Sequence, residues 1–225
     1  MKHARVGAVA AVFVGGITLG CGSWETGSSS SSTTQAGDDR FSIDEVDQAV
    51  AAGKAAQTNV KDVAGNTVVR VAFVERKSEV LVAASVTLPP GAESIHGFHI
   101  HANRAADGGP GGGCVVVDAG DPAANFVSAG GHFNPTGAIH GQHAGDMPAL
   151  FVGTDGKATM VFTTDRFKVA DIIGRAVILH AAPDNYANIP VGTALNQYTA
   201  NDPAATTLTN NTGNAGARIG CGIIR

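Results

Sequence analysis

Two histidines separated by one apolar residue stand near the middle of the chain, in Gly97-Phe98-His99-Ile100-His101. On a β-strand, side chains two apart share a face. His99 and His101 would therefore present imidazoles about 6–7 Å apart at the backbone, from a rise of about 3.3 Å per residue. That suits two ligands of one ion, and imidazole accepts copper, zinc, iron or nickel. The pair alone does not choose between this and two solvated side chains on an exposed face. Downstream, His132, His140, His143 and Asp146 fall within fifteen residues, a zinc-like set of nitrogen and oxygen ligands. His180 closes the apolar run Ala176-Val177-Ile178-Leu179. Six of the eight histidines are thus candidates for metal chemistry. His96, just before the first motif, reads as a structural histidine.

The elements that must carry these side chains read as antiparallel β. Ala55 to Val63 leads into a Gly65-Asn66 turn, followed by the β-branched run Thr67 to Val74. Val80 to Leu88 ends at Pro89-Pro90-Gly91, and Ser94 to His101 follows as one strand. Strands resume at Leu150-Phe151-Val152, turn at Asp155-Gly156 into Lys157 to Thr163, and return at Ala176 to His180 and Gly216 to Ile224. Short strands at this spacing predict a sandwich or barrel. No stretch after residue 52 carries a helical period. Two long segments lack strand pattern, Ala102 to Leu150 and Ala181 to Ala215. Loops of that length in a folded domain are functional or disordered, and the first, with its histidines and Cys114, has no disordered composition.

The 225 residues suffice for one domain with terminal extras. A formal charge of -4 with no basic cluster gives no sign of a nucleic-acid partner. Residues 1–21 read as an export signal, with Lys2, His3 and Arg5 before the apolar run Val6 to Leu19. Thr18-Leu19-Gly20-Cys21 resembles a bacterial lipoprotein cleavage site with Cys21 lipidated, though an aliphatic residue is expected where Thr18 stands; ordinary signal cleavage is the alternative. Residues 22–53 are a Ser/Thr/Gly-rich tether, unable to bury enough apolar surface to offset its ordering entropy, with a short helical turn expected over Phe41 to Ala52. The folded domain is expected over 54–225. Apart from Cys21, only Cys114 and Cys221 remain, a pair suited to a disulfide in an oxidising compartment; two buried thiols are the alternative.

Five blocks, in order, resemble the copper/zinc superoxide dismutase family: Gly97-Phe98-His99-Ile100-His101, Gly131-His132-Phe133-Asn134-Pro135, His140 with His143-Ala144-Gly145-Asp146, Leu179-His180, and Gly213 through Arg218 to Gly222. Pro183 to Pro190 resembles the family's exported bacterial forms. The resemblance implies an all-β fold, an eight-stranded Greek-key sandwich or flattened barrel with two long loops over the metals. It implies copper on His99, His101, His132 and His180, and zinc on His132, His140, His143 and Asp146, with His132 bridging. Asp184 would orient one histidine of each metal, Arg218 would guide the anion, and Cys114–Cys221 would be the family's disulfide. The implied reaction converts superoxide to oxygen and hydrogen peroxide at copper alternating between Cu(II) and Cu(I), His132 taking and releasing a proton. Activity is then expected to fall with rising salt.

One departure concerns zinc. Only Gly141 and Gln142 separate His140 from His143, where better-known members have a longer spacer, so copper-only operation stays open. A copper-binding or copper-delivery protein on the same fold is the alternative function. The expected setting is exported, in the periplasm or cell envelope, touching a membrane only through a lipid on Cys21. The chain would be a monomer or homodimer.

Overall fold

Alternation of buried and exposed side chains makes the first strand, β1 (Ala55–Lys61), in which Ala56, Thr58 and Val60 turn inward. β2 (Thr67–Arg76) and β3 (Glu79–Thr87) extend it as an antiparallel meander. β4 (Ser94–His96), β5 (Phe98–His101), β6 (Leu150–Val152), β7 (Lys157–Thr164), β8 (Ala176–His180) and β9 (Arg218–Ile223) complete the set. These come from a computed structural model that describes residues 52–92, 94–185 and 203–225. The signal and lipidation readings, the tether, the Phe41 to Ala52 turn and most of the Pro183 to Pro190 block lie outside the described residues.

Seven strands form one curled antiparallel sheet, in the order β5-β8-β9-β1-β2-β3-β7, and β4 pairs with β6 in a second. β9 returns from the far end of the sequence to lie beside β1 at the head of the meander, a Greek-key relation. The all-β sandwich or flattened barrel expected from the sequence is therefore present as a curled half-barrel. Its strand count among the described residues is nine because Ser94–His101 divides at Gly97. There the main chain leaves β6 and joins β8, with Gly97 N donating to Ala182 O and Gly97 O accepting from His180 N, both at 2.9 Å. A Cβ at Gly97 would lie 2.6 Å from Asp184 Oδ1 and 2.7 Å from the Ala215 Cβ, so only glycine fits at the crossing. The Asp155-Gly156 turn forms as expected, but the strands it joins part: β6 pairs with β4 and β7 with β3.

The core lies inside the curl, built from Val60, Val69, Phe73, Val82, Phe98, Ile100, Leu150, Val177, Leu179 and Ile224. A smaller cluster of Phe126, Ala129, Ala176, Ile178 and Cys221 packs on the opposite side of β8 and β9. β5 and β8 consequently bury every residue, and both faces need cover. The first long loop supplies it. It is ordered by three single 3-10 turns and hangs on the outer edge of β5, where Ile100 N donates to Gly145 O and Phe133 N to Ile100 O, both at 2.8 Å.

The expectation of no helix is corrected by Pro203–Thr212, a ten-residue helix. Its sequence, rich in Thr and Asn, is poor in intrinsic helix formers, and tertiary contacts hold it instead. Gly213, with a φ of 63°, caps it in the left-handed conformation that glycine adopts freely, its N–H reaching Thr209 O at 3.0 Å. A short second helix, Val169–Ile172, precedes β8.

Candidate metal centre

Strand periodicity sorts the histidines. On β5, Phe98 and Ile100 enter the core, so His99 and His101 face the other way. In the β5–β8 register they pair with Ile178 and Ala176, the residues of the smaller cluster. His180 shares the face of Ala176 and Ile178 on β8. His132 arrives from the loop, bridged to His101 in strand-like fashion.

Each ring is fixed by a hydrogen bond at one nitrogen. His99 Nε2 donates to Asp184 Oδ2 at 2.9 Å, His101 Nδ1 to Gly130 O at 2.8 Å, and His180 Nδ1 to Gly216 O at 3.2 Å. His132 Nδ1 lies 2.9 Å from Asp146 Oδ1. The opposite nitrogens, His99 Nδ1, His101 Nε2, His132 Nε2 and His180 Nε2, are buried without a hydrogen-bond partner. These four residues form a group whose ligand atoms lie within 4.8 Å of one another. Burial leaves imidazoles neutral, lowering His99, pushing His101 well below its ordinary value, and bringing His132 and His180 down to about 4. Four converging, unprotonated and unpaired lone pairs are costly in a protein interior and are what a nitrogen-ligated ion requires.

The second group is built on a turn. Asp146 Oδ2 accepts from Gly141 N at 2.6 Å and His143 N at 3.0 Å, which closes the turn and aims Oδ1 at the rings. Around Oδ1 stand His132 Nδ1 at 2.9 Å, His143 Nδ1 at 3.2 Å and His140 Nδ1 at 3.4 Å. His143 donates through Nε2 to Ala138 O at 3.1 Å, so in its neutral form it turns a lone pair toward a carboxylate oxygen. A cation between two such acceptors reconciles them. Burial alone would lower His140, but Asp146 and Asp184 outweigh it and raise it to about 9. Burial opposes the ionisation of Asp146 too, yet the hydrogen bonds from His132 and His140 hold it well below the usual carboxylate range. A grouping by mutual distance within 4.8 Å joins His99, His132, His140 and Asp146, with His99 in place of His143. His99 has Nε2 on Asp184 and Nδ1 in the first group, whereas His143 Nδ1 lies 3.2 Å from both Asp146 Oδ1 and His132 Nδ1. The His132 ring stands between the groups, its centroid 4.1 Å from that of His99 and 5.3 Å from those of His140 and His143.

Asp184 touches both groups, with Oδ2 2.9 Å from His99 Nε2 and 3.7 Å from His140 Nε2. Although burial would raise it, those histidines hold it well below the usual carboxylate range. Arg218, at the start of β9, donates through Nη1 to Phe126 O at 2.7 Å and through Nη2 to Gly130 O at 2.8 Å. Gly130 O also receives His101, so the guanidinium stands one carbonyl away from a candidate ligand. Burial lowers the Arg218 pKa. Cys114 and Cys221 form the expected disulfide, Cα to Cα 5.5 Å, tying the loop to the strand that carries Arg218.

The metal-site residues expected from the sequence are thus gathered in one place; beside them His96 Nδ1 donates to His180 O at 2.8 Å, and its Nε2 is also buried without a hydrogen-bond partner. Several supporting residues are not marked in the sequence. His140 N donates to Asn210 O at 2.8 Å, from the unexpected helix, and a Cβ at Gly213 would collide with His140 Nε2. Buried Arg175 donates to Asp171 O, Ala102 O and Asp107 Oδ2, and its guanidinium lies 3.7 Å over the Phe133 ring. The one available signal was a charged residue amid apolar neighbours. Arg166 reaches the turn at Gly141 and His143.

Comparison with known proteins places these features in context. The family model described as copper/zinc superoxide dismutase matches residues 67–224. A "Superoxide dismutase [Cu-Zn]" of Mycolicibacterium paratuberculosis is 39% identical over 63% of this chain and 59% of its own length. Its counterpart in Mycobacterium tuberculosis is 39% identical over 61% of this chain and 54% of its own. The chain therefore spans little more than half the length of these relatives. A plant relative from Brassica juncea, "Superoxide dismutase [Cu-Zn] 2", is 34% identical over 67% of this chain and 83% of its own. Among solved structures, the clock protein EA4 superposes with a TM-score of 0.51 at 25% identity, over 76% of this chain and 93% of that one.

Proposed function

Because the chain belongs to the copper/zinc superoxide dismutase family, with copper and zinc as its cofactors, we propose that it converts two superoxide anions and two protons to oxygen and hydrogen peroxide. The observation that carries this reading is the set of four buried, partnerless nitrogens on His99, His101, His132 and His180. Those atoms would hold copper, and His132 Nδ1, His140, His143 and Asp146 would hold zinc. Copper, when bound, supplies one-electron chemistry, so that one superoxide gives up an electron and another gains it.

The chain's own residues supply the remainder. Arg218, with two of its donors on main-chain carbonyls, offers a fixed positive charge that draws a small anion inward and orients it. His132 Nε2 is the atom that would take a proton and pass it to the departing peroxide. His132 Nδ1 would stay beside Asp146, holding the ring in place while Nε2 gains and gives up the proton. Asp184 sets the His99 tautomer with Nδ1 facing copper. Zinc does not change oxidation state, so its part is to fix His132 and the turn.

The disulfide suits an oxidising compartment, in keeping with export; anchorage through a lipid on Cys21 belongs to the same proposal. Cys21→Ser should then move the protein from the membrane to the soluble fraction. The decisive test of function is metal content measured together with superoxide removal on the loaded and dialysed protein. About one copper and one zinc per chain with activity, abolished by His99→Ala, is the expected result. Copper bound without activity overturns the dismutase reading in favour of copper handling.

A further inference from the structure

The zinc-side turn is gripped from two directions. Asp146 Oδ2 binds the N–H groups of Gly141 and His143. On the opposite side, a single atom, Arg166 Nη1, donates to the carbonyls of the same two residues, 3.0 Å to Gly141 O and 3.1 Å to His143 O. The N–H and C=O of Gly141 and of His143 thus each meet a charged side chain, and His143 O also accepts from Asp146 N at 3.2 Å. Arg166 lies immediately after β7, and the buried Phe167 beside it packs in the core against Phe73 with ring centroids 6.2 Å apart. The main chain of Arg166 is thus held by the sheet and core while its exposed guanidinium reaches across to the turn.

We propose that Arg166 is a positioning residue for the zinc site, fixing the two-residue spacer Gly141-Gln142 so that His140 and His143 point at the same ion. Main-chain bonds shape the spacer in part, Gln142 N to Ile139 O at 3.0 Å and Asp146 N to His143 O at 3.2 Å, but neither reaches the Gly141 carbonyl. The carbonyls of Gly141 and His143 repel one another when brought together, and a cation bridging them removes that repulsion. The Asp146 carboxylate holds only the N–H side and must also serve as ligand; on the carbonyl side the main chain supplies His143 O with one bond, from Asp146 N at 3.2 Å. Arg166 relieves Asp146 of sole responsibility for the turn. Residues of this kind, which orient ligands without touching the ion, change metal affinity by about 10–100-fold when lost.

This inference rests on the zinc reading of His140, His143 and Asp146, and the experiment separates the two. The copper-loaded protein is charged with Co(II) in place of zinc. The visible spectrum of the bound cobalt and its rate of transfer to a chelator are then recorded for wild type, Arg166→Ala, Arg166→Lys and His140→Ala. Thermal unfolding of the metal-free forms is measured in parallel. We expect Arg166→Ala to release cobalt about tenfold faster with an altered spectrum. Its metal-free unfolding should stay unchanged, and Arg166→Lys, whose ammonium can also bond two carbonyls, should fall nearer wild type. Release from Arg166→Ala at the wild-type rate overturns the positioning role. So does an equal loss of metal-free stability, which makes Arg166 a general structural residue. Cobalt held equally well by His140→Ala overturns the zinc reading itself.

Discussion

The two donor groups share His132 and little else in the way they are built. Three members of the first, His99, His101 and His180, ride on β5 and β8, on the face turned away from the main core, and their directions follow from strand register. In the second, His140, His143 and Asp146 belong to one turn with no regular structure, and their directions follow from side-chain hydrogen bonds. The sheet makes the copper side as rigid as the core behind it. The zinc side depends on contacts from Asn210, Asp184 and Arg166, each contributed by a different part of the chain. An ion on the first group fills a preformed site, whereas an ion on the second also helps to complete its own loop.

Removing one ligand from each side should expose that contrast most strongly. With His101→Ala, copper content and superoxide removal should fall to background while zinc is retained. With His143→Ala, zinc should be lost while copper is retained, as read by metal analysis of the dialysed proteins. Asp184→Asn should cross the boundary. Because that carboxylate meets His99 and His140, affinity at both sites should drop by about 10–100-fold in chelator competition.

Much of the copper side was legible in the sequence because a period of two is a strong local signal. His99 and His101 share a face for that reason alone, and the long loop declared itself by its length and its histidines. The division of Ser94–His101 at Gly97 was not legible, since what forces it is Asp184 Oδ1 and Ala215 pressed against the glycine from far along the chain. The helix Pro203–Thr212 was hidden for a related reason. Its Thr- and Asn-rich sequence has little preference for helix, and its value to the site is one main-chain carbonyl directed at His140. Arg166 and Arg175 look like surface charges until the fold brings carbonyls to them.

Two smaller effects sharpen the comparison. Arg218→Gln removes the fixed charge beside the copper ligands without touching the turn. kcat/KM should fall by about tenfold and lose most of its salt dependence, with metal content unchanged. The second effect concerns acid and the metal-free protein. His132 and His180 have folded pKa values of about 4, below the ordinary imidazole value, so protons favour the unfolded chain. Their contribution is intact above about pH 6.5 and is lost as pH falls toward 4. Asp146 and Asp184, held low in the folded state, lose theirs at still lower pH. His140, raised to about 9, contributes below about pH 6.5 and loses its share as pH rises through 9. Denaturant midpoints of the metal-free protein should therefore decline on both sides of neutrality, with the steeper fall toward acid. Bound metals should flatten the profile.

The central claim is that two ions sit on opposite nitrogens of His132. Anomalous scattering from a crystal of the loaded protein, recorded at the copper and zinc absorption edges, tests it directly. A copper peak is expected among His99, His101, His132 and His180, with a separate zinc peak among His132, His140, His143 and Asp146. A single peak, or a zinc peak away from Asp146, would contradict it.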